Sequence, residues 1–137
     1  MAMITATAAF AALARRAALV SLALACAAWQ PTTYDDAINT RNAVCALFDA
    51  EIVATADAGL DATYQSLRDL RAKVALDLAT RATALPQIIT VTLRTPEPSL
   101  VVAYRLYGDA TREADMVQRA NPRHPGFMPL SFAALSY

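Results

Sequence analysis

Residues 103–129, with the sequence AYRLYGDATREADMVQRANPRHPGFMP, decide the fold of the C-terminal part of the chain. The stretch contains two short helical segments, and each is followed by a residue that suits a helix stop. Gly108 permits a left-handed backbone after the first segment, and Asn121 can bond to the backbone in a turn after the second. A proline-rich loop over residues 122–129 comes next. The stretch therefore predicts a helix, a tight turn, a second helix and a stiff loop.

Strand-forming residues lie on both sides of this stretch. Residues 88–93 are mainly β-branched, which predicts a strand, and residues 132–135 can form a closing strand. Ser99 is expected to cap the first helix, and the second is expected over residues 111–120. The predicted order is strand, helix, helix, strand.

Alanine and proline divide the chain into two parts. Residues 1–85 hold 26 of the 32 Ala and one of the seven Pro, whereas residues 86–137 hold the other six Pro. Alanine is the strongest helix former, and Pro86 disfavours helical geometry at Leu85. We therefore predict an Ala-rich helical domain over residues 1–85 and a compact second domain over residues 86–137.

The first domain is predicted to contain three helices. They cover about residues 5–29, 34–58 and 61–84, with Thr33 and Asp61 as N-caps of the second and third and Gly59 as a stop. Short loops make such helices antiparallel neighbours, in a helical hairpin or small bundle. The expected fold class is α+β.

Composition excludes several classes of function. The 137 residues carry 12 basic and 12 acidic side chains, and this balance argues against a nucleic-acid binder. One His and two Cys cannot assemble a His/Cys metal cluster, and three scattered Gly cannot form a phosphate-binding loop. Ser99, His124 and Asp109 could be drawn as a catalytic triad, but no nucleophile turn supports it. We therefore expect no enzyme activity, no metal and no cofactor.

An ordered set of residues in the second domain resembles the pattern of a LysM module. The matching positions are Leu100, Val102, Ala103, Tyr107, Gly108, Asp109, Met116, Val117, Ala120, Asn121, Pro125 and Gly126. The resemblance implies a LysM-like βααβ fold, with a groove between the loop after the first strand and the loop before the last. LysM modules typically bind N-acetylglucosamine polymers such as peptidoglycan there. The candidate docking residues in these loops and the inter-helix turn are Thr95, Pro96, Glu97, Pro98, Ser99, Leu100, Tyr107, Gly108, Asp109, Asn121, Pro122, Arg123, His124, Pro125 and Gly126.

A second resemblance covers most of residues 10–136. Residues 103–129, together with an Arg pair in an Ala-rich helix and a Tyr-Asp-Asp helix start at residues 34–36, resemble the C-terminal end of the Mu-like phage DNA circularization protein family. Leu130 departs from that pattern, which often has Gly there. Family members usually carry a further N-terminal domain, so the resemblance implies a fragment, a split gene product or a shortened relative.

The family resemblance implies a structural protein of a contractile phage tail. Its place would be the virion baseplate or hub, in several copies, with other baseplate, hub and tube proteins as partners and assembly in the host cytoplasm. The family name refers to DNA, but we do not expect this chain to bind DNA directly, because it has one Lys and its Arg residues are interleaved with acidic residues. Neither loop of the groove contains an aromatic residue, which favours protein docking over glycan binding.

The first helix is apolar around most of its circumference. Its expected interface residues, which would dock on neighbouring proteins, are Leu19, Leu22, Leu24 and Trp29. An alternative is an exported envelope lipoprotein attached through Cys26, but the charge of Arg15 and Arg16 lies too far along the chain for a typical signal. The same Arg pair is expected to exclude a membrane span. Cys26 and Cys45 are expected to be buried free thiols, although a disulfide between them stays open.

Overall fold

The computed structural model describes residues 2–136, and these form five α-helices and a two-stranded antiparallel sheet. The predicted α+β class is confirmed, with helix as the dominant element. The chain divides into two compact units, Met1–Leu85 and Pro86–Tyr137.

Three helices make up the first unit: α1 (Ala2–Ala28), α2 (Tyr34–Asp57) and α3 (Asp61–Ala82). The N-cap prediction for α2 is confirmed, because the Thr33 side chain accepts a hydrogen bond from the Asp36 N–H at 3.1 Å. The N-cap prediction for α3 is wrong. Leu60 occupies that position without a side-chain bond, and Asp61 is already helical. Its carboxylate lies in the first turn, where it suits the helix dipole.

The predicted stop of α2 at Gly59 is confirmed. Gly59 has φ 67°, its N–H donates to the Ala56 carbonyl, and the Leu60 N–H donates to the Thr55 carbonyl. This pair of bonds is a Schellman motif, which satisfies carbonyls that the helix end would leave free. The tight end lets α3 return directly along α2.

The core of the first unit combines residues from all three helices. Its buried members are Leu19, Ala23, Cys26, Val44, Phe48, Leu67, Val74 and Leu78. Phe48 and Leu78 are fully buried at its centre. Cys26 and Cys45 are both buried and unpaired, as expected.

The second unit follows the predicted order of elements. Its strands are β1 (Ile88–Thr92) and β2 (Ser131–Leu135), and its helices are α4 (Ser99–Tyr107) and α5 (Glu113–Ala120). The strands pair antiparallel, with Ile88 opposite Leu135 and Thr92 opposite Ser131. The buried core between sheet and helices consists of Val102, Ala103, Met116, Met128, Phe132 and Ala134.

Two details of the second unit differ from prediction. Pro98, not Ser99, is the N-cap of α4, and the buried Ser99 hydroxyl instead donates a hydrogen bond to the Glu113 carboxylate. The segment expected to open the second helix is a short 3-10 helix, Ala110–Arg112. It forms because the Asp109 carboxylate accepts the Thr111 N–H at 2.8 Å and fixes a tight first turn.

Candidate functional site

The two loops predicted to flank a groove lie directly against each other. Three backbone hydrogen bonds join them: Leu93 N–H to the Leu130 carbonyl at 2.7 Å, Met128 N–H to the Glu97 carbonyl at 2.9 Å, and Ser99 N–H to the Pro125 carbonyl at 2.8 Å. These bonds extend the contact between the chain segments beyond the end of the two-stranded sheet. The loop pair, residues 93–99 and 121–130, is therefore a braced surface.

Side chains brace the first loop further. The half-buried Glu97 carboxylate pairs with the Arg105 guanidinium on α4, and its Oε1 accepts a hydrogen bond from Arg105 Nη1 at 3.1 Å. Ser99 reaches from the start of α4 to Glu113 at the start of α5. These contacts hold the loop to both helices, while Thr95, Pro96, Pro98 and Leu100 keep exposed side chains.

The turn between the helices lies apart from the loop pair. Tyr107, Gly108 and Asp109 follow the C-terminal end of α4, whereas the loop pair meets its N-terminal end, and nine helical residues span about 13 Å. Gly108 has φ 68° and ends α4, as predicted. The Arg112 guanidinium lies 3.9 Å from the Tyr107 ring centroid. The turn closes the helix pair and does not join the loop surface.

Burial and hydrogen bonding shift the pKa of two groups in this turn in opposite directions. Burial of the Tyr107 hydroxyl raises the pKa of that group. The Thr111 N–H and hydroxyl bonds hold the pKa of Asp109 below its ordinary value. Both pKa shifts follow from burial and hydrogen bonding within the second unit. They therefore indicate a structural role for this turn.

The second loop contains an aromatic pair, His124 and Phe127, of which only His124 was predicted from the sequence. Phe127 is 71% exposed, and its ring lies tilted against His124, with the centroids 6.1 Å apart. The His124 Nδ1 accepts the Gly126 N–H at 2.9 Å, which fixes the imidazole over the turn. Phe127 directly follows Gly126, the last residue of the loop predicted to flank the groove. Phe127 lies in a turn, where its N–H donates to the His124 carbonyl at 2.9 Å, and no periodicity in the sequence marks its ring as exposed.

Asn121, Pro122 and Arg123 connect α5 to this loop. Asn121 ends α5 in the left-handed region at φ 43°, and its N–H donates to the Val117 carbonyl. Arg123 is exposed, and Pro122 is half-buried. The three residues lie on the same connection as His124, Pro125 and Gly126.

The predicted interface residues of α1 do not share one surface. Leu19 is 7% exposed and belongs to the core, so its assignment to an interface is corrected: its spacing matches Ala23 and Cys26, which face α2 and α3. Leu22 is half-buried against the same core. Leu24 is 68% exposed, and Trp29, which follows the last helical residue Ala28, is 36% exposed.

A charge cluster around the buried Glu51 joins α1 to α2. Glu51 is 5% exposed, and each of its carboxylate oxygens accepts a hydrogen bond at 2.9 Å, one from Arg15 Nε and one from Arg16 Nε. Burial disfavours the charged carboxylate, but the hydrogen bonds and charges of the two Arg outweigh it and hold the pKa of Glu51 below its ordinary value. The cluster lies at the edge of an apolar groove of about 440 Å³ between the two helices, lined by Arg15, Ala18, Leu19, Leu22, Leu47, Ala50, Glu51 and Ala54.

The Arg pair does not exclude a membrane span by composition, contrary to the sequence expectation. Within the described residues, one helical segment, Ala6–Ala28, is long and apolar enough to cross a bilayer, with a mean hydropathy of 1.6. Core helices and signal sequences pass the same test. Among residues 2–136, no group of three or more His, Cys, Asp or Glu side chains is placed to hold a metal ion.

No protein-family model matches the sequence, and no curated protein matches it.

Proposed function

We propose that the chain is a structural component of a contractile phage tail, in the baseplate or hub region, and that it docks to other tail proteins through its helices and its LysM-like module. The observation that carries the proposal is the second unit. It has two antiparallel strands around two short helices, with Gly108 and Asn121 at the helix ends. These positions agree with the sequence pattern on which the LysM-like assignment rests.

The surface beside the braced loops supports docking to protein. On α4, Leu100, Val101 and Tyr104 are 52%, 47% and 66% exposed. Large exposed apolar side chains on a fixed scaffold are typical of a protein interface. The loop hydrogen bonds keep this surface in one conformation, which lowers the ordering cost of association.

The proposal predicts that the chain is part of the purified tail. Mass spectrometry of contractile tails from induced cells should detect it, and antibody labelling should mark the baseplate end. Leu100→Asp should reduce its incorporation about tenfold, because an exposed contact becomes a buried charge. Ala114→Asp, at an exposed position on α5, is the matched control. Tails that assemble fully without the chain would refute the proposal.

A second candidate, a module that binds peptidoglycan, is favoured by Phe127. An exposed ring beside a polar loop is a typical sugar-stacking platform, and the Phe127 ring is held against His124. Co-sedimentation of the full chain with purified peptidoglycan tests this function. Binding that Phe127→Ala abolishes, and that Phe10→Ala on α1 leaves intact, would replace tail docking with glycan recognition.

The alternative of an exported lipoprotein has its own test. Attachment at Cys26 requires removal of the preceding residues, and these supply Leu19 and Ala23 to the core and both arginines to Glu51. Intact-mass analysis of the chain from cells should show the first 25 residues retained. Their loss would establish the lipoprotein.

A further inference from the structure

An exposed stripe of apolar residues runs along α1, away from its core face. Successive members are three or four residues apart, which is the spacing of a coiled-coil seam. The members are Phe10, Leu13, Ala17, Val20, Leu24 and Ala27. All six are exposed, with Phe10 73% and Leu24 68% exposed. At 1.5 Å per residue the stripe is about 26 Å long.

The stripe carries no charge. The charged residues within α1 are Arg15 and Arg16, and both reach across to Glu51 on α2. A second helix could therefore lie on the stripe without desolvating an ionised group of α1, and desolvation of charge is a large cost of forming an interface.

The order of side chains makes the stripe complementary to itself in the antiparallel direction. Reversing α1 about the point between Ala18 and Leu19 places each stripe residue opposite another. The pairs are Phe10 with Ala27, Leu13 with Leu24, and Ala17 with Val20. In two of the three pairs a large side chain lies opposite Ala. This alternation keeps the distance between the two helix axes nearly constant along the stripe. A parallel pairing would instead set each large residue against its own copy.

A groove lies where the antiparallel arrangement places Phe10 of a second copy. It has a volume of about 250 Å³ and runs between α1 and α3, lined by Val20, Ala23, Leu24, Cys26, Ala27, Leu70, Lys73, Val74 and Asp77. The phenyl ring opposite Ala27 would enter this groove, and symmetry would repeat the contact. An aromatic anchor in an apolar pocket is the usual centre of an interface.

We propose that α1 is the interface of an antiparallel homodimer, in which Phe10 of each copy inserts into the α1–α3 groove of the other. The inference does not depend on the tail function, because it uses the first unit alone. One helix pair is a small interface, so the dissociation constant should lie in the micromolar range.

Sedimentation equilibrium of the full chain, from about 1 to about 100 μM, should show a monomer–dimer equilibrium. Phe10→Ala should raise the dissociation constant at least about tenfold. Val53→Ala is the matched control, because Val53 is also exposed, at 60%, and belongs to the same unit, but it lies on α2 and not on the stripe. A wild-type monomer throughout the range, or equal effects of the two variants, would overturn the proposal.

A charge test fixes the helix direction. Ala17→Lys and Val20→Glu should each weaken the dimer, because each buries an unpaired charge. An equimolar mixture of the two variants should dimerise again, since antiparallel pairing sets the new Lys opposite the new Glu. Ala11→Lys, exposed but off the stripe, should dimerise like the wild type. Circular dichroism should show full helicity in every variant, and folded variants that do not associate on mixing would refute the antiparallel pairing.

A bilayer surface could also cover this stripe. Co-sedimentation with vesicles of phosphatidylcholine and phosphatidylglycerol distinguishes a membrane from a second copy of the chain as the occupant. A dimer that stays in the supernatant supports the proposal. A monomer that sediments with the vesicles, and loses this property in Ala17→Lys, would overturn it.

Discussion

The substitution Glu51→Gln tests how much the charge cluster between α1 and α2 contributes to the stability of the first unit. We expect this cluster to be the main polar contribution. The substitution keeps the shape of the side chain but removes its charge and replaces one acceptor oxygen by an amide donor. Both acceptors are used in the wild type, at 2.9 Å from Arg15 and from Arg16. One guanidinium would therefore face another donor.

The magnitude follows from the exposure of each partner. A hydrogen bond to a charged group contributes about 1.5–3 kcal/mol. The Arg15 side chain is 57% exposed and recovers water when released, so its share is small, whereas Arg16 is 24% exposed and recovers less. We expect the free energy of unfolding to fall by about 2–3 kcal/mol, a large part of the stability of a small domain.

Urea denaturation monitored by circular dichroism measures this loss. Asp49→Asn is the matched control: it makes the same change on the same helix, but Asp49 is 53% exposed and pairs with Arg71 at the surface. The control should cost about 0–1 kcal/mol. A Glu51→Gln variant that loses no more than the control would refute the reasoning.

The same pair of proteins gives a pH prediction. Because the pKa of Glu51 is lowered in the folded state, its contribution is complete above the pKa of the unfolded chain and declines as the pH falls through the folded value. The gap between wild type and Glu51→Gln should therefore be widest near neutral pH and shrink in acid. A gap that is equal at about pH 7 and about pH 3 would contradict the assignment.

Three further predictions concern packing and helix ends. Leu78→Ala should cost about 2–5 kcal/mol in the free energy of unfolding, because Leu78 is fully buried, whereas Leu76→Ala on the same helix, at 69% exposure, should be nearly neutral; similar urea midpoints would contradict this. Gly108→Ala should destabilise the second unit by about 1 kcal/mol in thermal melting, since its φ of 68° strains any Cβ although nothing lies within 4 Å of one. Asn121→Gly should change stability by less than about 0.5 kcal/mol, because Gly accepts the left-handed backbone at φ 43°; a larger loss would show that the Asn side chain itself is required.

Local rules were sufficient for most elements of the fold. Thr33, Gly59 and Gly108 act as the helix signals that their residue types predict, and the β-branched run pairs as a strand. The failures occur where a long-range partner competes. Ser99 could have capped α4, but its hydroxyl finds Glu113, fourteen residues away, and no local rule includes that carboxylate.

The candidate site was less accessible to sequence reasoning. The apolar composition of α1 predicts an interface but does not distinguish the core face of the helix from its exposed face. The sequence therefore identifies the exposed Leu24 correctly, assigns the buried Leu19 to the wrong face, and does not single out Phe10. The role of Glu51 depends on two Arg more than thirty residues earlier in the chain, and a single sequence does not show that pairing. The braced loops likewise depend on backbone bonds between segments about thirty residues apart.

The order of the helices along the chain has a consequence for synthesis, because α1 precedes the two helices that cover it. Its buried residues, such as Leu19 and Ala23, are covered by α2 and α3, which extend to Ala82. At about 5–20 residues per second, roughly 3–10 s pass between the completion of α1 and that of α3. During that interval the apolar residues of α1 that α3 later covers are available to the ribosome surface and to chaperones. Glu51 lies on α2, so Arg15 and Arg16 have no carboxylate partner from α2 until that helix has been made.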